Sequence, residues 1–475
     1  MGKKKRISSK YLKPRWNYLY QDNKGMLYVE GVSVDDIAEK YGTPVYLLME
    51  GELRERMRRI QRAFPYPKLR IQYAGKNNSN LEIIRMAREE GLEFDASSVG
   101  EIILGLVADF EPKQITFTNL YKTEEDIAFA AEIGVQAITA DSMEELERMA
   151  HVGQRLKTKI KTFIRINPLI ELGKNYSTKK QQYGIPLPSA TKAIDFAIKS
   201  KYIDLVGLHF HGGYINSPKV YEIAAAKLLK LMRYALDKGC KIKYIDLGGG
   251  FPVDFGDKTA SFIPEDMGET FVREFNKLLA QYKLPQPTLI FEPGKFITAN
   301  SGMGLMKVIS TKQIGRESAV IMDSSTYCFI PDILIDKVRY NFLPANKMNK
   351  PKIKKYKIYG CTCDCRDLMD QGEPLPKLEA GDLIAVMDTG CYSNVLASNF
   401  NTLKRAPMVL VSENGTTKLI RRRDQYSDMF APELDVVKVA EPSELKKYYA
   451  LTRSSIKKLW EGSNGKSKPK KGYLR

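Results

Sequence analysis

Lys76, the pair His209 and His211, the glycine run Gly248–Gly250 and Glu292 each stand at or just past the end of a short apolar run. A lysine partly stripped of water has a lowered pKa, and its free amine can form a Schiff base with an aldehyde. Glycine N–H groups right after a strand can close around a phosphate, because no Cβ keeps the anion away. A carboxylate such as Glu292 could hold a pyridine nitrogen protonated. His209 and His211 are two of only three histidines in the chain. Two apart on a strand, they face the same side, so both or neither should point at a site. Each feature also has an ordinary reading: a surface lysine, a tight turn, an ion-pair partner, packed core histidines.

Cys361-Thr-Cys363-Asp-Cys365 adds three thiols at alternate positions, with Cys391 further on. Zinc sites usually space their cysteines as CxxC, and no HExxH motif completes a site around the two histidines. No metal is expected. One cysteine acting as a proton donor, with Asp364 binding substrate, asks for fewer coincidences.

The elements that must position these residues follow from the spacing. Eight apolar runs pace the chain between Arg70 and Gly294: Ile71–Tyr73, Leu92–Phe94, Ile115–Phe117, Ala137–Ile138, Thr162–Ile166, Leu205–Leu208, Tyr244–Leu247 and Thr288–Phe291. Between them lie stretches with helical spacing, such as Asn80–Glu90 and Thr123–Ile133. Eight such units describe a (β/α)8 barrel, whose C-terminal strand ends open into one mouth. After Ala299 the alternation gives way to strands, including Met306–Ile309, Leu383–Met387 and Met408–Val411, read as an antiparallel β domain. The expected division is an N-terminal segment at 1–45 that joins the β domain, a barrel at 46–298, the β domain at 299–440, and a basic tail at 441–475.

Composition narrows the function classes. The chain has 475 residues and a net charge of +19, of which 13 charges sit in residues 1–15 and 456–475. Short Lys-rich termini are solvated tails, and no nucleic-acid recognition motif accompanies them. No apolar run is long enough to span a membrane, and the basic start is not followed by the apolar core of a signal peptide. Six cysteines in so long a chain do not form a disulfide framework. The expectation is a soluble cytoplasmic enzyme.

In their order along the chain, the motifs resemble the fold-type III pyridoxal-phosphate decarboxylases, the group of diaminopimelate and ornithine decarboxylases. The resemblance rests on Tyr73-Ala-Gly-Lys76-Asn-Asn, Phe94-Asp-Ala-Ser-Ser-Val-Gly-Glu101, His209-Phe-His-Gly-Gly, Asp246-Leu-Gly-Gly-Gly-Phe, Glu292-Pro-Gly, Cys363-Asp-Cys-Arg-Asp367 and Gly390-Cys-Tyr392. The N-terminal segment and Arg421-Arg-Arg-Asp-Gln-Tyr look most like diaminopimelate decarboxylase. The resemblance implies an alanine-racemase-like barrel that binds pyridoxal 5'-phosphate. Lys76 would carry the cofactor as a Schiff base, His211 would stack on the ring, and Glu292 would pair with its nitrogen. Gly248, Gly249, Gly250 and Tyr392 would hold the phosphate, with Asp95 near the lysine. Cys363 would return a proton to Cα, and Asp364 would bind the distal end of the substrate. The family pattern also implies a homodimer with shared active sites.

Some positions depart from the pattern. The arginine of EPGR is Lys295, a point charge without a bidentate fork, left to contact phosphate or substrate. A serine expected near His211 is Tyr214, and Pro331 and Ile335 stand where substrate-binding Arg and Tyr are expected. Asp364 and Asp336 instead offer acceptors for an ammonium, and Tyr392 completes the expected substrate contacts. The implied reaction is α-decarboxylation of a diamino acid, meso-diaminopimelate to L-lysine and CO2. An ornithine- or lysine-type decarboxylase is the alternative, and a non-catalytic regulatory homologue or a racemase stands behind it.

Overall fold

The computed structural model describes residues 9–174 and 176–440. The tail expected at 441–475 and the first eight residues lie outside them. Eight strands form a closed parallel barrel: β1 (Leu69–Ala74), β2 (Glu93–Ala96), β3 (Ile115–Thr118), β4 (Ala137–Ala140), β5 (Ile160–Asn167), β6 (Ile203–His209), β7 (Tyr244–Asp246) and β8 (Thr288–Phe291). Closure comes where β8 pairs with β1, Phe291 opposite Ile71. Parallel strands covered by helices bury both faces, which is why these runs are continuously apolar rather than alternating.

Helices connect the strands, and their starts are written in the sequence. Asn80, Ser98 and Ser142 each accept a bond from a backbone N–H of the first turn, at 3.0 to 3.2 Å. Thr123 and Asp126 form a reciprocal capping box. The helix Leu81–Glu89 buries Ile83, Ile84, Met86 and Ala87 against the barrel, and Lys219–Asp237 buries nine residues in the same way. Each large aliphatic side chain so buried contributes roughly 1.5–3 kcal/mol. Among the described residues, no helix is long and apolar enough to cross a membrane.

The second domain is a sheet around the long strand Gly302–Ile314, which pairs with Glu317–Met322, Leu383–Met387 and Val45–Met49. Two pairings in it are parallel, Glu317–Met322 with Lys354–Tyr359 and Val45–Met49 with Met408–Val411, so the sheet is mixed rather than purely antiparallel. Val45–Met49 also crosses the boundary expected at residue 45. The chain lays a central strand of the second domain, builds the whole barrel, and only then returns to finish the sheet. The N-terminal segment docks on this domain: Trp16, Leu19, Val29 and Ile37 share a core with Leu47, Met303 and Met387. Even Ser9, inside the basic tail, is buried and bonded to the Met348 carbonyl.

Candidate active site

The C-terminal ends of β1, β2, β6, β7 and β8 bring Lys76, Asp95, His209, Asp246 and Glu292 together. Lys76 lies in the short turn after β1, about one-third exposed, and donates to Asp95 Oδ2 at 2.8 Å. Burial pulls its ammonium down, but the negative charges of Asp95 and Glu292 outweigh burial, and the net pKa is raised. This reverses the expected lowering: the desolvation is present, but carboxylates from two other strands face the amine. Glu292 sits beside His209, with Nε2 3.2 Å from Oε1. His209 is held neutral by burial and by the nearby Arg165 charge. Asp246, next to Glu292, is pushed well up by burial and by that carboxylate, so it keeps its proton in preference to Glu292. Asp95 Oδ1, His209 Nδ1 and Asp246 Oδ2 are buried without a partner, an arrangement that normally marks a functional site.

The glycine run shapes one wall. Gly248 N–H donates to Asp246 Oδ1 at 2.9 Å, and Gly249 N–H donates to His211 Nδ1 at 3.2 Å. Two of the three N–H groups are therefore spent inside the protein, which fixes the loop before anything binds. A Cβ at Gly249 would run into the Glu292 carbonyl. Gly250, at φ +97°, would drive a Cβ into the Gly213 carbonyl. Because His211 Nδ1 accepts a bond, its ring is the neutral Nε2–H tautomer, in keeping with a pKa lowered by burial and then by Lys76. Both histidines thus serve the mouth, His209 from the strand end and His211 from the loop beyond it.

Tyr392 enters from the second domain, at φ 55°, with its N–H bonded to the Asn77 carbonyl at 2.8 Å. Burial pushes its hydroxyl up to about 12, against the pull of Lys76. Lys295 lies between the Tyr214 and Phe255 rings, 5.3 and 5.2 Å from their centres. Tyr214 in turn donates to Asp336 Oδ2 at 3.0 Å.

One group escaped the reading of the sequence. Arg165, buried on β5, pairs with Asp141 at 3.1 Å and packs on the Tyr183 ring at 4.4 Å. Its charge bears on His209, His211 and Glu292. The signal was there, a lone arginine inside the apolar run Phe163-Ile-Arg-Ile166.

The cysteine loop lies elsewhere, on the second domain. Cys361, Cys363 and Cys365 are exposed, whereas Cys391 is buried, so the four thiols do not form one cluster. Asn401 holds the Cys363 backbone at 3.2 Å and donates to its sulfur at 3.5 Å. Asp364 is held well below the usual carboxylate range by Arg366, at 2.8 Å, and by the Tyr327 hydroxyl, at 2.6 Å. Asp367 anchors the base of the loop, accepting from the N–H and hydroxyl of both Thr326 and Thr362 at 2.7 to 3.0 Å. Among the described residues, no hydrogen bond links Cys363 or Asp364 to the barrel mouth of the same chain.

Known proteins identify the class. The family model for the pyridoxal-binding domain of pyridoxal-dependent decarboxylases matches residues 50–299. A diaminopimelate decarboxylase of Pseudomonas aeruginosa is 30% identical over 421 residues, 88% of this chain and 98% of that protein. Another, from Aquifex aeolicus, is 28% identical over 422 residues, 88% of this chain and 97% of that protein. The solved structure of a diaminopimelate decarboxylase from M. jannaschii in co-complex with L-lysine has a TM-score of 0.79 at 27% identity, covering 88% of this chain and 98% of that one. The chain belongs to the pyridoxal-dependent decarboxylases, and it is a carboxy-lyase whose cofactor is pyridoxal 5'-phosphate. The residues present fit that group: a primary amine, buried carboxylates with unpartnered oxygens, and a glycine wall that a Cβ would fill.

Proposed function

We propose that the enzyme removes one carboxylate of meso-diaminopimelate to give L-lysine and CO2. The observation that carries this reading is the likeness to diaminopimelate decarboxylases over 88% of the chain. Asp336 is capped by Tyr214, and Asp364 is held by Tyr327 and Arg366. These contacts bear equally on every candidate, because diaminopimelate, ornithine and lysine all carry a distal ammonium. The names of the relatives favour diaminopimelate.

When bound, pyridoxal 5'-phosphate supplies the electron sink for the pair left on Cα as CO2 departs. Lys76 would hold the cofactor through its aldehyde, and Asp95, 2.8 Å from the amine, would balance the amine's charge. Glu292 would pair with the pyridine nitrogen, and Asp246 and His209 would keep Glu292 oriented. His211 would pack on the ring, while Gly250, its facing turn at Gly213, and Tyr392 would hold the phosphate. These residues would align the bond to be broken, and the protein's own share of the rate would come from that positioning and from the charges around it.

Cys363 returns a proton to Cα from the second subunit of a two-fold dimer. Its exposed loop supports this, since Phe400, next to the Asn401 that bonds Cys363, is 37% exposed and packs at a tilt on Tyr327, with ring centres 4.5 Å apart. Apolar side chains grouped around a reactive thiol on an outer face suit an interface. Three exposed free thiols suit a reducing compartment, which supports a cytoplasmic enzyme.

The test is CO2 release from meso-diaminopimelate, ornithine, lysine and arginine at equal concentration. Diaminopimelate should be preferred by orders of magnitude, because a site built around one polar group rejects analogues lacking it by about 10⁴-fold. The competing reading rests on Lys295, Pro331 and Ile335, which remove the forks and phenol that grip a second carboxylate. Preference for ornithine or lysine would establish it, and release from none of the four would sink both.

A further inference from the structure

A cavity of about 550 Å³ runs beside the glycine wall, from Gly250 to Lys258, Lys295, Lys337 and Arg339. The charge lining it is unbalanced. Its one carboxylate, Asp257, is already bonded to Lys13 at 2.7 Å and to Asn341 at 3.0 Å. Arg339 is drawn toward Asp370 and Glu373, at 3.3 and 3.8 Å. Asp336, next to Lys337 in the chain, has an oxygen under the Tyr214 hydroxyl. Lys258 and Lys337 are exposed, and among the described residues no carboxylate pairs with either. Lys337 also holds a left-handed backbone, φ 52°, a conformation that costs free energy and recurs at functional sites.

The cavity therefore offers two unpaired ammonium groups and the Lys295 ammonium between its two rings, in a space continuous with the cofactor wall. We propose that Lys337 and Lys258, together with Lys295, receive the second carboxylate of an amino dicarboxylate substrate. This rests on the reading that the substrate is dicarboxylic. Three point charges from three loops replace the planar forks missing at Lys295 and Pro331. Nothing in the sequence marks Lys258 or Lys337, and only the fold brings them to the cavity that Lys295 also lines.

The experiment uses holoenzyme carrying Lys258→Gln, Lys337→Gln, both, or Lys337→Arg. The double variant should raise KM for meso-diaminopimelate about tenfold or more, the scale of losing charge-assisted bonds, while kcat stays within about twofold. Inhibition by L-lysine, which lacks the second carboxylate, should not change, and Lys337→Arg should keep most of the affinity. Pimelate, with two carboxylates and no amine, gives a readout independent of turnover: calorimetry should find its binding weakened in the double variant. An unchanged KM in the double variant overturns the proposal. If wild-type enzyme releases no CO2 from diaminopimelate, the substrate reading fails, and pimelate then decides the cavity. Binding to wild type alone keeps it as a carboxylate site, and binding to both forms or to neither overturns it.

Discussion

At the scale of single residues, the site is governed by charges that oppose burial. Lys76 would lose its proton readily if desolvation acted alone, but Asp95 and Glu292 hold it charged. The free amine needed to attack an aldehyde is thus scarce until the cofactor enters and the charge is redistributed. Lys76→Ala should abolish the visible absorbance of bound cofactor and all CO2 release, and an absorbance scan with borohydride reduction checks it. A reducible band surviving in the variant would point to another lysine. Asp332 shows the opposite balance. Burial, reinforced by Asp336 and only partly offset by Lys295, pushes its carboxyl up to about 6. The unfolded chain releases that proton near its ordinary value, about 3.9. The folded protein thus binds the proton more tightly, and this contribution to stability is full below pH ~4 and lost as pH rises through about 6. Asp332→Asn should be about 1–2 kcal/mol more stable than wild type at pH 7.5 and no different at pH 4, as measured by denaturant unfolding at the two pH values.

At the scale of elements, the cysteine loop depends on one buried carboxylate. Asp367 satisfies four donors from Thr326 and Thr362, and Asp367→Ala would leave all four unpaired. A loss of about 3 kcal/mol or more is expected, with Lys76 still able to bind cofactor but turnover reduced because Cys363 is no longer held. Comparing cofactor absorbance with CO2 release separates the two effects. How far the elements could be read in advance follows from what each one needs. The eight barrel runs and the capped helices rest on local signals, and Thr288–Phe291, Leu383–Met387 and Met408–Val411 have the bounds that composition suggests. The strand Leu368–Leu375 was not legible, because Gly372 and Pro374 inside it read as turn signals. Val45–Met49 read as the entry to the barrel, because an apolar run before a helix does not reveal which sheet it joins. In the site, the residues that end strands were legible by type. The raised pKa of Lys76 and the reach of Arg165 were not, since both depend on charges from strands far apart in the chain.

At the scale of the whole molecule, Cys363 stands on an outer face, and in the proposed dimer it serves the site of a second copy. Lys76→Ala and Cys363→Ala should each be inactive, the second by about 10²–10⁴-fold, the usual contribution of a positioned proton donor. Mixed and allowed to exchange subunits, they should recover up to about a quarter of wild-type sites, since half the dimers become mixed and one site in each is intact. Activity against mixing ratio, with exchange followed by mass spectrometry, checks this. Exchange without recovery would place the thiol in its own subunit's site. Val45–Met49 carries a different consequence, for the chain as it is made. All five of its residues are buried between two strands that follow the barrel. At roughly 5–20 residues per second, its first neighbour leaves the ribosome about 250 residues and tens of seconds later. During that interval a fully apolar strand waits with both edges open, the state most prone to pair with another chain. Synthesis of this enzyme is therefore exposed to aggregation until the barrel is complete, and chaperone capacity during translation, more than the stability of the finished fold, should set its yield.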